Sequence, residues 1–339
     1  MKKKDKYNVA VVGAKGAVGS EMIKILEERK FPVAELRLFG SARSKGTSVR
    51  FQGRDVAVRE LKFEPDEFQG IDIVLSSPGA SVSTKFVPHA IKTGAVVIDN
   101  TSAFRMHPKV PLVVPEINPE DIKKHKGIIA NPNCSAIIML MAIAPLHKKS
   151  PAKRILCSTY QSASGAGAKA MKELEVQTRD FLDGKSIKKE VFPHQIAFNL
   201  FSHNSAVEEN GYNGEELKMI QESQKILHDD SIRIVTTCVR VPVFRAHSET
   251  IYIEFERKIT AEKARSILAK APGIKLVDDQ KNNYFPMPIE ASGGNDVLVG
   301  RIREDLSCKN GLALFVAGDQ LRKGAALNAV QIAEALVGS

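Results

Sequence analysis

The first 150 residues alternate short apolar runs with amphipathic or polar stretches. Tyr7 to Val12 is a six-residue apolar, β-branched run that predicts a strand, and residues 20–29 set Met22, Ile23 and Leu26 at helical spacing. Further apolar runs at 35–39, 71–75, 95–98, 111–114 and 127–130 predict more strands, separated by helical or polar segments. This rhythm predicts a mostly parallel sheet whose ligands lie beyond the carboxyl ends of the strands. Ser76-Ser77-Pro78-Gly79 and Asp99-Asn100-Thr101-Ser102 fall at two such ends. Residues 136–146 are apolar at nearly every position and predict a buried helix. Beyond Pro151 the pattern changes to long alternating strands at 154–160, 231–241, 247–257, 295–303 and 311–318, with amphipathic helices at 168–182 and 261–270. That half predicts an α+β unit with a mixed sheet, and the alanine-rich stretch 320–337 predicts one long helix despite Gly324.

At 339 residues the chain exceeds what one hydrophobic core usually carries, so two domains are expected. Its 26% charged and 43% hydrophobic residues exclude disorder as the dominant state. The longest apolar run falls short of the ~20 residues of a bilayer helix, so no membrane span is expected. The basic start leads into a strand and a glycine loop rather than a secretory core, and the expected location is cytoplasmic. The net charge of +10 is spread over scattered lysines without interleaved aromatics, which argues against nucleic acid and leaves small anionic substrates open. Four cysteines, at 134, 157, 238 and 308, form no CxxC and no regular framework, so neither a metal site nor disulfides are expected.

Between the first strand and the first helix lies Gly13-Ala-Lys15-Gly16-Ala17-Val18-Gly19. Glycines here permit a tight turn and let backbone N–H groups reach a pyrophosphate at a helix N-terminus, the arrangement of a Rossmann-type dinucleotide-binding domain. After the second strand, where an NAD enzyme usually places Asp or Glu, the loop carries Ser41, Arg43, Ser44 and Lys45, which suit the 2′-phosphate of NADP. Cys134 stands where a strand gives way to the buried helix. The free N–H groups of a helix start favour the thiolate, the form that attacks acyl carbons. Cys157 and Cys238 sit inside strand patterns and read as small core hydrophobes. A second glycine-rich turn, Gln161 to Gly167, precedes the helix at 168. Arg240 and His247 are the residue types of a carboxylate clamp and an acid/base, although Pro242 breaks the pleat between them and the pattern alone does not put them on one face.

GAxGxVG at 13–19, SARS at 41–44, NPNCS at 131–135, QxxSGAG at 161–167, ExxK at Glu215 and Lys218, and RVPVxxxH at 240–247 occur in one chain. In this combination the sequence resembles the aspartate-β-semialdehyde dehydrogenase family over essentially its whole length. The resemblance implies NADPH-dependent reduction of L-4-aspartyl phosphate to L-aspartate 4-semialdehyde and phosphate, on the way to lysine, threonine and methionine, by a homodimer. It implies Cys134 as the nucleophile that forms an acyl thioester, His247 as acid/base and Gln161 as a substrate-orienting group. Arg240 would clamp the α-carboxylate and Glu215 the amino group, with Arg105, Asn133 and Lys218 on the phosphate. Gly13, Lys15, Gly16, Ala17, Val18, Ser41, Arg43, Ser44, Ser164, Gly165 and Gln320 would hold the cofactor. The last helix would return to the first domain, making it 1–133 with 320–339 and leaving 134–319 for catalysis and dimerisation. Competing readings are another acyl-phosphate reductase, such as N-acetylglutamyl-phosphate reductase, a non-enzymatic NADP sensor, and a scaffolding protein. A sensor predicts no special reactivity at Cys134.

Overall fold

A computed structural model describes residues 3–338. The chain forms two compact units, Met1–Asn133 with Ala325–Ser339, and Cys134–Gly324. The second crossing thus falls at 324/325 rather than at 319/320. Asp319 explains the shift, because its Oδ1 accepts the N–H groups of Leu321 and Arg322 and keeps these residues with the second unit.

In the first unit, β1 (Tyr7–Val12), α1 (Ala17–Glu28), β2 (Val33–Gly40), β3 (Ser48–Phe51), β4 (Arg54–Glu60), β5 (Ile73–Ser76), α2 (Ala80–Lys92), β6 (Val96–Asp99) and β7 (Ile128–Ala130) are followed, after the second unit, by α8 (Leu327–Gly338). The sheet order is β3-β4-β2-β1-β5-β6-β7, parallel throughout except for the β3–β4 hairpin. Both faces are covered, which is why β1 reads as one apolar run instead of alternating. Val9 and Val11 pack with Met22, Ile25 and Leu26 of α1 and with Val330 and Ala333 of α8. Ala10 and Val12 face Phe68, Phe86 and Val87 on the other side.

Two features of this unit depart from the sequence reading. Residues 111–114 do not form a strand and touch the sheet only through a bridge from Leu112 to Ala130. The Pro111 carbonyl and the Val113 N–H make that bridge, but the Val114 carbonyl already accepts the Ile117 N–H of a turn, while Asn118 holds the opposite edge by accepting from the Val114 N–H and donating to the Leu112 carbonyl. The β3–β4 hairpin was not anticipated. It turns at Gln52-Gly53, both left-handed with φ of +48° and +77°, as a two-residue hairpin turn requires.

The second unit holds α3 (Cys134–His147), β8 (Ala152–Gln161), α4 (Ala168–Leu182), β9 (Phe201–Ser202), α5 (Gly214–Leu227), β10 (Arg233–Arg240), β11 (His247–Phe255), α6 (Ala261–Leu268), β12 (Ile274–Leu276), α7 (Pro288–Ala291), β13 (Val297–Glu304) and β14 (Gly311–Gly318). Its mixed sheet runs β12-β13-β14-β11-β8-β10-β9. α3 lies among this sheet, α5 and α6, so it is apolar on every side rather than on one stripe. Parallel β8 and β10 end together at Gln161 and Arg240, and antiparallel β11 begins at the same edge with His247. The long helix expected at 320–337 is interrupted by a π turn at Arg322–Ala326, and α8 starts only at Leu327. Such turns recur beside functional groups. Here Gly324 lies against Cys134, where an added Cβ would stand 3.0 Å from the Cys134 Cβ.

Candidate active site

In the first unit the carboxyl ends of β1, β2 and β5 open onto a cavity of about 550 Å³, lined among others by Gly13, Lys15, Gly16, Ser41, Arg43 and Ser44. Gly13 is left-handed (φ +85°), and a Cβ there would lie 2.8 Å from the Ser77 carbonyl, so only glycine lets the two turns meet. Gly19, against the Gly13 carbonyl, closes the turn in the same way. These features fit a dinucleotide, whose pyrophosphate would lie on the 13–16 turn with its adenosine end towards the 41–44 loop. Ala17 and Val18 form the first turn of α1 and are not part of the lining. Ser77 and Pro78 are, as the strand-end reading expected, and so are Glu60, Leu61 and Phe63 from the end of the unanticipated hairpin.

The 99–102 strand end has another task. Buried Asp99 accepts hydrogen bonds from Ser76, Ser83 and both the N–H and hydroxyl of Thr101, and burial holds its carboxyl above the usual range. This fixes the loop on which Arg105 sits. Arg105 is buried rather than a surface residue, its Nε donating to the Asn131 carbonyl (3.0 Å) and Nη2 to the Asn100 carbonyl (2.7 Å). Asn133, also buried, ends the unit.

The remaining candidates gather in the second unit around Cys134. This thiol is half-buried at the first residue of α3. Cys157 and Cys238 are buried in β8 and β10, and burial pushes both thiols well up, as expected of core residues. Gln161 is buried and bridges two helices, its Nε2 donating to Ser135 Oγ (2.7 Å) and Glu215 Oε1 (3.3 Å). Glu215 enters as the second residue of α5, a helix capped by Asn213 in a reciprocal capping box with Glu216. Lys218, one turn on, lies 3.2 Å from Glu215 Oε2. That pair is not an ordinary surface pair, because the Glu215 side chain is 8% exposed.

Arg240 and His247 converge despite Pro242. The chain turns back through left-handed Ala246 (φ +72°), whose N–H is fixed by Gln320 Oε1 (2.9 Å). His247 is fully buried. The Ser162 N–H donates to its Nδ1 (3.0 Å), which places the ring hydrogen on Nε2, and Nε2 has no partner among the described residues. Burial first, then the neighbouring Arg240 charge, pushes the ring down to about 3, so it is neutral near pH 7. Gly165 lies over both side chains. A Cβ there would come within 2.9 Å of Arg240 Nη1 and 3.1 Å of His247 Nε2, filling the space in front of the unpartnered nitrogen. Ser164 and Gln320, expected on the cofactor, are buried and bonded to each other, and Ser164 continues through Ser162 Oγ to His247 Nδ1. Sequence reasoning missed Ser162 and His203, which contacts Arg240. The only local sign of Ser162 was its place in the second glycine turn, and of His203 there was none.

A two-domain dehydrogenase of the semialdehyde class is what this fold and these side chains define. The family model described as the semialdehyde dehydrogenase NAD binding domain matches residues 8–125, and that of the dimerisation domain matches residues 143–323. The aspartate-semialdehyde dehydrogenase of Synechocystis sp. is 56% identical over 97% of each chain, and that of Aquifex aeolicus 53% identical over 98% of each. The crystal structure of aspartate semialdehyde dehydrogenase II from Vibrio cholerae superposes with a TM-score of 0.95 at 46% identity, covering 98% of this chain and 99% of that one, and the same enzyme has been solved complexed with ASA. The chain belongs to the aspartate-semialdehyde dehydrogenase family.

Proposed function

We propose that the protein reduces L-4-aspartyl phosphate to L-aspartate 4-semialdehyde with release of phosphate, using NADPH, as a step in lysine, threonine and methionine biosynthesis. The observation that carries this reading is the buried cluster in which a helix-start thiol, an arginine and a neutral histidine with an unpartnered Nε2 lie together. Cys134 Sγ attacks the acyl carbon, the C–S bond forms, and the C–O bond breaks as phosphate leaves with its electron pair. The Arg240 guanidinium would stabilise the thiolate form of Cys134. Arg240 holds the α-carboxylate and Glu215 the α-ammonium, while Gln161 keeps Glu215 aligned with the start of α3. His247, cast as acid/base by the resemblance, presents its Nε2–H to the oxygen that becomes negative in each tetrahedral adduct and, being neutral, donates a hydrogen bond there. Arg105, Asn133 and Lys218 serve the phosphate. When bound, the nicotinamide cofactor would supply the hydride to the thioester carbonyl carbon, and the C–S bond then breaks with its electron pair on Cys134 Sγ, releasing the aldehyde.

Arg43 and Lys45 support NADP over NAD, because the loop that meets the adenosine ribose offers cations where NAD enzymes carry an acid. Arg43→Glu is expected to reverse the preference, lowering kcat/KM for NADP by at least about tenfold while NAD improves or holds. An unchanged ratio would remove Arg43 from 2′-phosphate recognition. No helix among the described residues is long and apolar enough to cross a membrane, and we place the enzyme in the cytoplasm as a homodimer, the assembly suggested by the description of the matching second-domain model.

The test is reduction of NADP by the purified protein with aspartate semialdehyde, with and without inorganic phosphate, beside N-acetylglutamate semialdehyde. Turnover that needs phosphate and prefers the aspartyl substrate is expected. Preference for the acetylated substrate would move the protein to the neighbouring reductase.

A further inference from the structure

Arg240 is tied at three points. Its Nε donates to Asn204 Oδ1 (3.3 Å), Nη1 to the Ser162 carbonyl (3.3 Å) and Nη2 to His203 Nε2 (2.8 Å). Of the five N–H groups of the guanidinium, one remains on each terminal nitrogen, the number a carboxylate can take up in a bidentate pair. The partner at Nη2 is unusual, because an arginine can only donate and the histidine must therefore accept. With its Nε2 lone pair so used, the neutral ring carries its hydrogen on Nδ1, which faces Ser205 Oγ at 3.1 Å. The Ser205 N–H also points at Nδ1 (3.2 Å), but the shorter bond from a charged donor decides the tautomer. A guanidinium donating to Nε2 leaves no room for the second hydrogen of an imidazolium. Burial, then Arg240, accordingly hold His203 down to about 4, with Lys218 acting in the same direction and Glu215 opposing.

Ser205 continues the connection. Its hydroxyl donates to Asn213 Oδ1 (3.2 Å), the cap of α5, and accepts the backbone N–H of Glu215 (3.0 Å). One short segment thus fastens the Arg240 guanidinium on β10 to the residue of α5 that carries the Glu215 carboxylate. These two groups have opposite charge and would read the two charged substituents on one α-carbon.

We propose that His203 and Ser205 are positioning residues that set the spacing between Arg240 and Glu215, and that this strap gives the enzyme its preference for an α-amino acid head over the same semialdehyde without the amino group. The inference rests on the roles given to Arg240 and Glu215 above, and goes beyond them by assigning the discrimination to residues that need not touch the substrate.

The test compares wild type with His203→Ala, His203→Gln and Ser205→Ala in phosphate-dependent NADP reduction of aspartate semialdehyde and of succinate semialdehyde, its des-amino analogue. For His203→Ala the KM for aspartate semialdehyde should rise about tenfold or more with kcat within about threefold, and the ratio of kcat/KM between the two substrates should shrink at least about fivefold. His203→Gln, whose side-chain oxygen can still accept from Arg240, should recover part of both effects, and Ser205→Ala should narrow the ratio as well. An unchanged ratio in His203→Ala, or an equal loss for both substrates that the glutamine does not recover, would overturn the proposal. A second arm does not need turnover: alkylation of Cys134 by iodoacetamide, slowed by L-2-aminobutyrate or by butyrate. Wild type should be protected better by the amino acid and His203→Ala equally by both. Retained preference in His203→Ala overturns the strap, whereas preference lost in the variant but no aspartate semialdehyde turnover in wild type overturns only the reaction assigned above.

Discussion

Cys134→Ala should lower phosphate-dependent NADP reduction by at least about 10⁴-fold, the scale of removing a covalent nucleophile, while cofactor affinity stays within about twofold. No neighbour can replace this thiol. Cys157 and Cys238 are enclosed in the sheet with thiols held protonated by burial, and neither begins a helix. The cavity at the 13–16 and 41–44 turns is lined by first-unit residues such as Gly13, Gly16 and Arg43, so truncating a second-unit side chain leaves that lining intact. Steady-state rates and a fluorescence titration with NADPH check both halves of the expectation. A variant that lost cofactor affinity in proportion to rate would contradict the assigned role.

Arg240→Ala should raise KM for aspartate semialdehyde by roughly 30- to 1000-fold, corresponding to about 2–4 kcal/mol for a charge-assisted bidentate pair removed from a sheltered site. Burial pulls this guanidinium below its ordinary value, yet it starts so high that it stays a cation at working pH. The truncation also strips donors from the Ser162 carbonyl, Asn204 and His203. Lysine should not rescue the variant, because one ammonium cannot reproduce a planar fork held at three points. Michaelis constants for wild type, Arg240→Ala and Arg240→Lys provide the check, and a lysine variant within a few-fold of wild type would show that charge alone suffices.

Much of the scaffold was legible because its signals are local. β1, α4 and β14 begin and end where the apolar periodicity places them, and Cys134 could be singled out because the apolar stretch that follows NPNCS marks a buried helix, which starts at Cys134 itself. Residues 111–114 misled because an apolar run carries no sign of how short its pairing will be: only Ala130 pairs with it before the chain turns at Val114–Ile117. The π turn was hidden by the uninterrupted alanine-rich pattern on both sides of Gly324. The supporting residues of the site were not legible at all. His203 meets Arg240 across 37 positions and Ser162 meets His247 across 85, and neither lies in a segment whose periodicity marks it. Glu215 and Lys218 show the reverse case: an i, i+3 pair is common on exposed helix faces, and the burial of the glutamate distinguishes this one.

The insertion of one unit within the other orders the birth of the protein on the ribosome. Val330, Ile332, Ala333 and Leu336 of α8 complete the core that β1 and α1 begin, so the first unit to be synthesised is the last to be finished. Residues 134–324 can pack as soon as they emerge, while the strands of the earlier unit wait with one sheet face covered only in part, by α1, for a helix made more than 300 residues after β1. Exposed apolar strands in that interval are the kind of surface chaperones protect. Shortening the chain at its C-terminus would therefore damage the glycine-turn cavity at the opposite end of the sequence before it reached Cys134.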